Sequence, residues 1–188
     1  LGLPASYLDK EVFSYDNGLL KEAPFLTSLV YNPNHIGCHT QGKSENYFKG
    51  THEIEKELIE ICAVDFLKAK ENSCDGYVAS GGTEANIQAI WMYRNYYKSE
   101  LKADNKDICI ICSEDSHYSM NKASNLLDID IFQFSLNTNN RLGERETILQ
   151  TIQKAKDAGK KHFIFVANMM TTMFGSVDNI KTIVEILK

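Results

Sequence analysis

From Thr51 onward the apolar residues Ile54, Leu58, Ile61, Cys62 and Phe66 recur at helical spacing, and Glu53 and Glu55 fall in the first turn, where the helix dipole favours acids. The pattern predicts an amphipathic helix from Thr51 to about Lys70. Short β-rich runs then alternate with helical ones. Residues 76–80 (GYVAS), 107–112 (DICIIC), 129–134 (IDIFQF) and 161–167 (KHFIFVA) read as strands, and residues 84–98, 118–127 and 144–158 as helices. Apolar strands separated by helices are the sequence form of βαβ crossovers, so the fold class is α/β, a mostly parallel sheet with helices on both faces. Residues 1–50 lack such periodicity and hold all three prolines, Pro4, Pro24 and Pro33, which predicts an N-terminal arm with short helices. The strongest turn chemistry lies in Asn137 to Gly143, rich in Asn and closed by Gly.

Composition narrows the class. The chain has 188 residues, 43% hydrophobic, 24% charged and 10% aromatic, which suits one globular domain or a large piece of one. A chain of this size buries roughly 70% of its surface on folding and needs no disulfides to do so. The five cysteines, Cys38, Cys62, Cys74, Cys109 and Cys112, follow no signal peptide and read as reduced thiols of a cytoplasmic protein. No apolar run approaches the roughly 20 residues of a membrane-spanning helix, so no membrane partner is expected. A formal charge of -5 argues against a nucleic-acid partner, because a phosphate backbone is met by clustered Lys and Arg. A small anion remains open, through local charge or backbone dipoles.

Such an anion has an outline site. Residues 76–86 form a strand that stops at Ser80, turns through Gly81 and Gly82 and enters a helix through Thr83. A helix start carries unpartnered N–H groups and partial positive charge, and two glycines let backbone approach a phosphate without Cβ obstruction. Taken alone, the segment favours a plain strand-to-helix turn, since Gly and Thr are ordinary there; Thr83 can cap the helix and also offer its hydroxyl to an anion. No Gly-Lys-Ser/Thr follows for a P-loop, and the third glycine of a dinucleotide fingerprint is absent.

Ligands of open parallel sheets sit beyond the carboxyl ends of the strands. The segment after the next strand reads Ser113-Glu-Asp-Ser-His117-Tyr-Ser119, which brings an imidazole to that edge. The segment after the last strand, Asn168-Met-Met-Thr171-Thr172-Met-Phe-Gly175-Ser-Val-Asp-Asn179, is polar again.

Taken together, Ser80-Gly-Gly-Thr-Glu-Ala-Asn86, Asp115-Ser-His-Tyr-Ser119 and Thr171-Thr172 through Gly175-Ser-Val-Asp-Asn179 resemble the group II pyridoxal-phosphate-dependent amino-acid decarboxylases, relatives of the histidine, aromatic-amino-acid and glutamate enzymes. The resemblance runs from about Thr51 to the end of the chain and implies the fold-type I large domain, incomplete at its C-terminus, over residues 51–188. It implies that the cofactor, pyridoxal 5'-phosphate, is held through its phosphate by Gly82 and Thr83 with Gly81 shaping the turn, that His117 lies on the face of the pyridine ring as a catalytic-site residue, and that Thr172 approaches the cofactor. It places His39 near the substrate. The activity implied is decarboxylation of an L-amino acid to the amine and carbon dioxide, in a homodimer with sites at the interface. One departure is visible: Met170 stands where the family has a glycine before the Thr pair. The family's carboxylate for the pyridine nitrogen and its cofactor-bearing lysine come after the helix that begins near Asp178, and neither has a counterpart before Lys188, so the sequence reads as a fragment. Another reaction on the same cofactor, such as transamination or sulfur transfer, or a catalytically silent anion-binding fragment, is discriminated by those downstream residues.

Other constellations read more plainly. His35, Cys38 and His39, with His52 later, lack the separated ligand pairs of a structural zinc site, and no metal is expected. Cys109 and Cys112 form a C-x-x-C inside a strand, where they point to opposite faces as buried thiols. His52-Glu-Ile-Glu-Lys56 has Lys where H-E-x-x-H needs its second His. Trp91, Tyr93, Tyr96 and Tyr97 predict core or dimer packing on the helix after the Gly-Gly turn, and His162 a surface or satisfied core residue.

Overall fold

The computed structural model describes Glu22 and residues 49–188. The proposed arm, with His35, Cys38 and His39, therefore lies outside the described residues except for Glu22, Lys49 and Gly50. The chain divides into two compact units, Leu1–Val78 and Ala79–Lys188.

In the first unit, helix α1 spans Lys49–Glu60 and continues as a π-helical stretch, Ile61–Phe66. The wider winding is visible where Leu67 N–H donates to the Cys62 carbonyl, five residues back, at 3.1 Å. The helix thus ends at Phe66, short of Lys70, and its apolar stripe Ile54, Leu58, Ile61 and Phe66 is exposed. Residues 76–79, expected as a strand, carry no regular structure. A strand needs a neighbour to complete its ladder. Here the Val78 N–H donates instead to the Glu55 carboxylate at 2.7 Å.

The second unit runs α2 (Gly82–Glu100), a 3-10 turn (Asn105–Asp107), β1 (Ile108–Ser113), α3 (Ser119–Leu127), β2 (Asp130–Phe134), α4 (Arg145–Asp157), β3 (His162–Phe165) and α5 (Ile180–Leu187). The three strands form a parallel sheet in the order β2-β1-β3, with Ile110 opposite both Ile131 and Ile164. All six residues of β1 are buried, as a central parallel strand requires. Its side chains alternate between two cores. Ile108, Ile110 and Cys112 pack with Ile90 of α2 and with Met120, Ala123 and Leu127 of α3. Cys109 and Ile111 pack with Phe134 and with Ile148, Ile152 and Ala155 of α4. Each fully buried isoleucine of β1 contributes about 1.5–3 kcal/mol of burial free energy. The two cysteines accordingly sit in different cores, and burial pushes the Cys109 thiol up to about 12 and that of Cys112 to about 11.

The opposite placement of α3 and α4 fixes where a ligand crevice opens. The connection after β1 leaves on the α3 face, whereas β3, its neighbour, leads on to α5, whose Ile186 packs in the α4-side core. Adjacent parallel strands whose exits diverge leave a crevice at their carboxyl ends.

The aromatic group on α2 divides. Tyr97 is partly buried, donates its hydroxyl to the Phe163 carbonyl at 2.9 Å and stacks on His162 at 5.0 Å. Trp91, Tyr93 and Tyr96 stay exposed, because only one face of α2 reaches the sheet.

Candidate functional site

Helix α2 begins at Gly82, with Gly81 extended before it (φ 177°). Glu84 turns back to accept hydrogen bonds from the Ser80 N–H at 3.0 Å and from the Ser80 hydroxyl, a variant of the capping box that fixes the entry to the helix. Among the described residues no protein acceptor takes the N–H groups of Gly82 and Thr83. A Cβ built on either Gly81 or Gly82 would meet no atom within 4 Å, so open space lies against this backbone. Two outward N–H groups at the positive end of a 19-residue helix suit a phosphate, and the open glycine backbone gives it room.

His117 follows β1 on the loop 114–118 and is half-buried. Its Nδ1 lies 2.9 Å from the Ser119 hydroxyl and accepts from the Ser119 backbone N–H at 3.2 Å. Ser119, fully buried, accepts in turn from the side-chain amide of Asn86 at 2.9 Å. Asn86 lies one turn beyond Gly82 on α2, so this chain of contacts holds the imidazole to the beginning of the helix that starts at the Gly-Gly turn. The centre of the Tyr118 ring lies 4.0 Å from that of the imidazole, and the Lys122 ammonium lies 4.7 Å from the centre of the same Tyr118 ring.

The loop after β3 forms a short two-armed flap. Met169 and Val177 make an antiparallel bridge, Asp178 N–H donates to the Asn168 carbonyl at 2.9 Å, and the side-chain amide of Asn168 reaches the hydroxyls of Ser113 and Ser116, both at 3.1 Å. The Thr pair splits: Thr171 is buried with its hydroxyl 2.8 Å from that of Ser176, and Thr172 is exposed at the turn. Met170, in the position of the family's glycine, has φ 72°, a left-handed conformation that glycine adopts freely.

The loop after β2 joins the same edge. Arg141 makes a bidentate ion pair with Asp115, two residues before His117, and its guanidinium lies 4.2 Å from the centre of the Phe174 ring in the flap. The pairing with Asp115 raises the Arg141 pKa further. Loops after all three strands are thus tied together at one end of the sheet.

Of the residues singled out from sequence, Gly81, Gly82, Thr83, His117 and Thr172 belong to this second unit, and the contacts link the α2 segment to His117. His39 lies outside the described residues. Sequence reasoning assigned no role to Asn86, Ser119, Asn168, Asp115 or Arg141. The available signal for Asn86 was its spacing of four from Gly82, which puts both on one helix face. Arg141 carried none, since its pairing with Asp115 spans 26 residues. Among the described residues no cluster of His, Cys, Asp and Glu could hold a metal ion, and no helix is long and apolar enough to cross a membrane.

Comparison with known proteins places the chain. The family model described as the pyridoxal-dependent decarboxylase conserved domain matches residues 53–188. A tryptophan decarboxylase of Clostridium sporogenes is 49% identical over 95% of this chain and 43% of its own length. A histidine decarboxylase of Vibrio anguillarum is 30% identical over 78% of this chain and 34% of its own length. The chain therefore spans less than half the length of these curated relatives. Among solved structures, the L-methionine decarboxylase of Streptomyces sp. 590 superposes with a TM-score of 0.69 at 17% identity, over 98% of this chain and 50% of that one. The glutamate decarboxylase domain of a Vibrio parahaemolyticus protein gives a TM-score of 0.66 at 18% identity, again over 98% of this chain and 50% of the other. The α/β fold is that of the fold-type I pyridoxal-phosphate enzymes, and the chain belongs to the pyridoxal-dependent decarboxylase family, whose cofactor is pyridoxal 5'-phosphate.

Proposed function

We propose that the protein carrying this sequence decarboxylates an L-amino acid, releasing carbon dioxide and leaving the amine with a proton in place of the carboxylate. The observation that carries this reading is the Asn86, Ser119 and His117 chain, which ties an imidazole after β1 to the helix whose start offers N–H groups to a phosphate. Pyridoxal phosphate supplies, when bound, the ring that takes up the electrons released by the departing carboxylate. The backbone N–H groups of Gly82 and Thr83 bind its phosphate, and Gly81 keeps the approach clear. His117 orients the ring plane, Thr172 approaches it from the flap, and His39 contacts the substrate. The 49% identity to a tryptophan decarboxylase supports an aromatic amino acid, tryptophan first, as the substrate.

Residues 1–50 serve as an arm to the large domain begun by residues 51–188. The exposed stripe Ile54, Leu58, Ile61 and Phe66 supports a homodimer, and the cysteine usage supports a cytoplasmic location. Sedimentation of an active monomer at micromolar concentration would remove the dimer.

The test uses the natural polypeptide that carries this sequence, assayed for carbon dioxide release from a panel of L-amino acids alongside the cofactor's visible absorbance. His117→Ala should keep the fold and lower turnover about 100-fold or more, since ring orientation is lost. His117→Phe should recover cofactor retention better than turnover, because a phenyl ring stacks and has no N–H to donate. Wild-type rates in the alanine variant would end the assignment of His117.

A further inference from the structure

The residues that contact His117 have a consequence for its protonation pattern. A neutral imidazole has one nitrogen that donates and one that accepts, and the partner of one nitrogen decides the role of the other. At His117 the Ser119 backbone N–H is aimed at Nδ1 from 3.2 Å, and a backbone amide can only donate, so Nδ1 is the acceptor. The Ser119 hydroxyl, 2.9 Å from the same nitrogen, has its oxygen engaged by the Asn86 amide, itself a donor. Its proton is therefore directed at Nδ1 as well. Asn86, Ser119 and His117 form a relay in which every donor points toward the imidazole.

We propose that Ser119, oriented by Asn86, is a positioning residue that fixes His117 as the Nε2–H tautomer, so that the nitrogen without a protein partner among the described residues presents a donor to the crevice beyond β1. The functional use of that donor, toward an acceptor atom of a bound amino acid, rests on the decarboxylase reading above; the tautomer itself does not. Burial strengthens the relay. Ser119 is fully buried, so water does not compete for its hydroxyl, and polar contacts in such surroundings polarise one another.

The direction of the relay can be reversed without changing its shape. In Asn86→Asp an amide donor is replaced by a carboxylate of nearly the same size, which only accepts. The Ser119 hydroxyl then donates to that carboxylate and offers a lone pair to His117, favouring a proton on Nδ1. Ser119→Ala removes the hydroxyl and leaves only the backbone donor.

The experiment is nitrogen-15 NMR of the natural polypeptide labelled at the histidine rings, with the His117 signals assigned by their loss in His117→Gln. Wild type is expected to show the neutral Nε2–H form. Ser119→Ala should raise the ratio of Nδ1–H to Nε2–H about 2- to 10-fold, the worth of one net hydrogen bond, and Asn86→Asp should raise it further. A wild-type His117 carrying its neutral proton on Nδ1, or the same ratio in wild type and Asn86→Asp, would overturn the proposal. Should a variant fail to fold, the wild-type spectrum alone decides the tautomer. Because the measurement needs no cofactor or turnover, an inactive protein with the expected spectra would count against the decarboxylase reading only, and an active protein with the wrong tautomer against the relay only. In an active protein, Asn86→Asp should lower kcat more than it raises KM, and Asn86→Gln, which keeps the donor, should recover part of kcat.

Discussion

The carboxylate of Asp178 receives two hydrogen bonds from one residue, the backbone N–H of Asn168 at 2.7 Å and its side-chain amide at 2.9 Å. This closes the base of the flap after β3 and turns the Asn168 amide toward Ser113 and Ser116 at the end of β1. Two loops at the crevice are thereby held in register by a residue that is itself ten positions away along the chain.

Removing that carboxylate should release both donors at once. Asp178→Ala is expected to destabilise the fold by about 2–3 kcal/mol, since hydrogen bonds to a charged group are worth about 1.5–3 kcal/mol and a half-buried N–H is left without an acceptor. Chemical denaturation measures the loss, and amide hydrogen exchange should show the Asn168 N–H losing protection ahead of the strands. An unchanged exchange rate at Asn168 would mean that the loop is held by other contacts.

Gly143 follows the loop after β2 and faces the buried ring of Phe134. A Cβ there would lie 2.6 Å from Phe134 Cε2 and 3.2 Å from Ile148 Cδ1. Phe134 is 1% exposed, so the ring can shift only by disturbing the core around it. Gly143→Ala should therefore cost about 1–3 kcal/mol as an overpacked core does. A melting temperature within a degree of wild type would show that the two core side chains repack around the methyl.

Met170 behaves in the opposite way. Its φ of 72° costs an L-residue about 1–2 kcal/mol, and its side chain is 73% exposed, so little burial compensates. Met170→Gly removes that strain and adds about 0.5–1 kcal/mol of unfolded-state entropy. The balance is a stabilisation of about 0.5–1 kcal/mol, read as a higher urea midpoint at unchanged slope. A lower midpoint would show that the methionine makes contacts worth more than the strain.

The buried thiols give the fold a pH dependence on the alkaline side. Burial raises Cys109 to about 12 and Cys112 to about 11. The unfolded chain loses these protons first, near the ordinary thiol range of about 8.5. Stability contributed by the neutral thiols is thus fully present below that range and falls as pH rises toward 11 to 12. Denaturant midpoints measured between pH 7 and 10 should decline, and Cys109→Ala with Cys112→Ala should flatten that decline. Alkylation at pH 7.5 should reach Cys62, which is exposed, well before either strand cysteine.

The sequence by itself determined the alternation of strands and helices in the second unit, because parallel strands buried on both faces must be apolar throughout and their crossover helices must be amphipathic. Helices expected at 84–98, 118–127 and 144–158 appear as Gly82–Glu100, Ser119–Leu127 and Arg145–Asp157, and three of the four expected strands form. It also determined which segments reach the crevice, since a parallel sheet delivers every βα loop to the same edge. Local composition did not determine the run at 76–80, whose apolar residues satisfy strand propensity but lack a neighbouring strand among the described residues. Nor did it reveal the pairings that set the site's geometry. Asn86 meets Ser119 across 33 residues and Arg141 meets Asp115 across 26, distances along the chain at which spacing carries no information. Only the packing of α2 and α3 against one face of β1, and the return of the β2 loop over its end, bring those donors and acceptors within hydrogen-bonding reach.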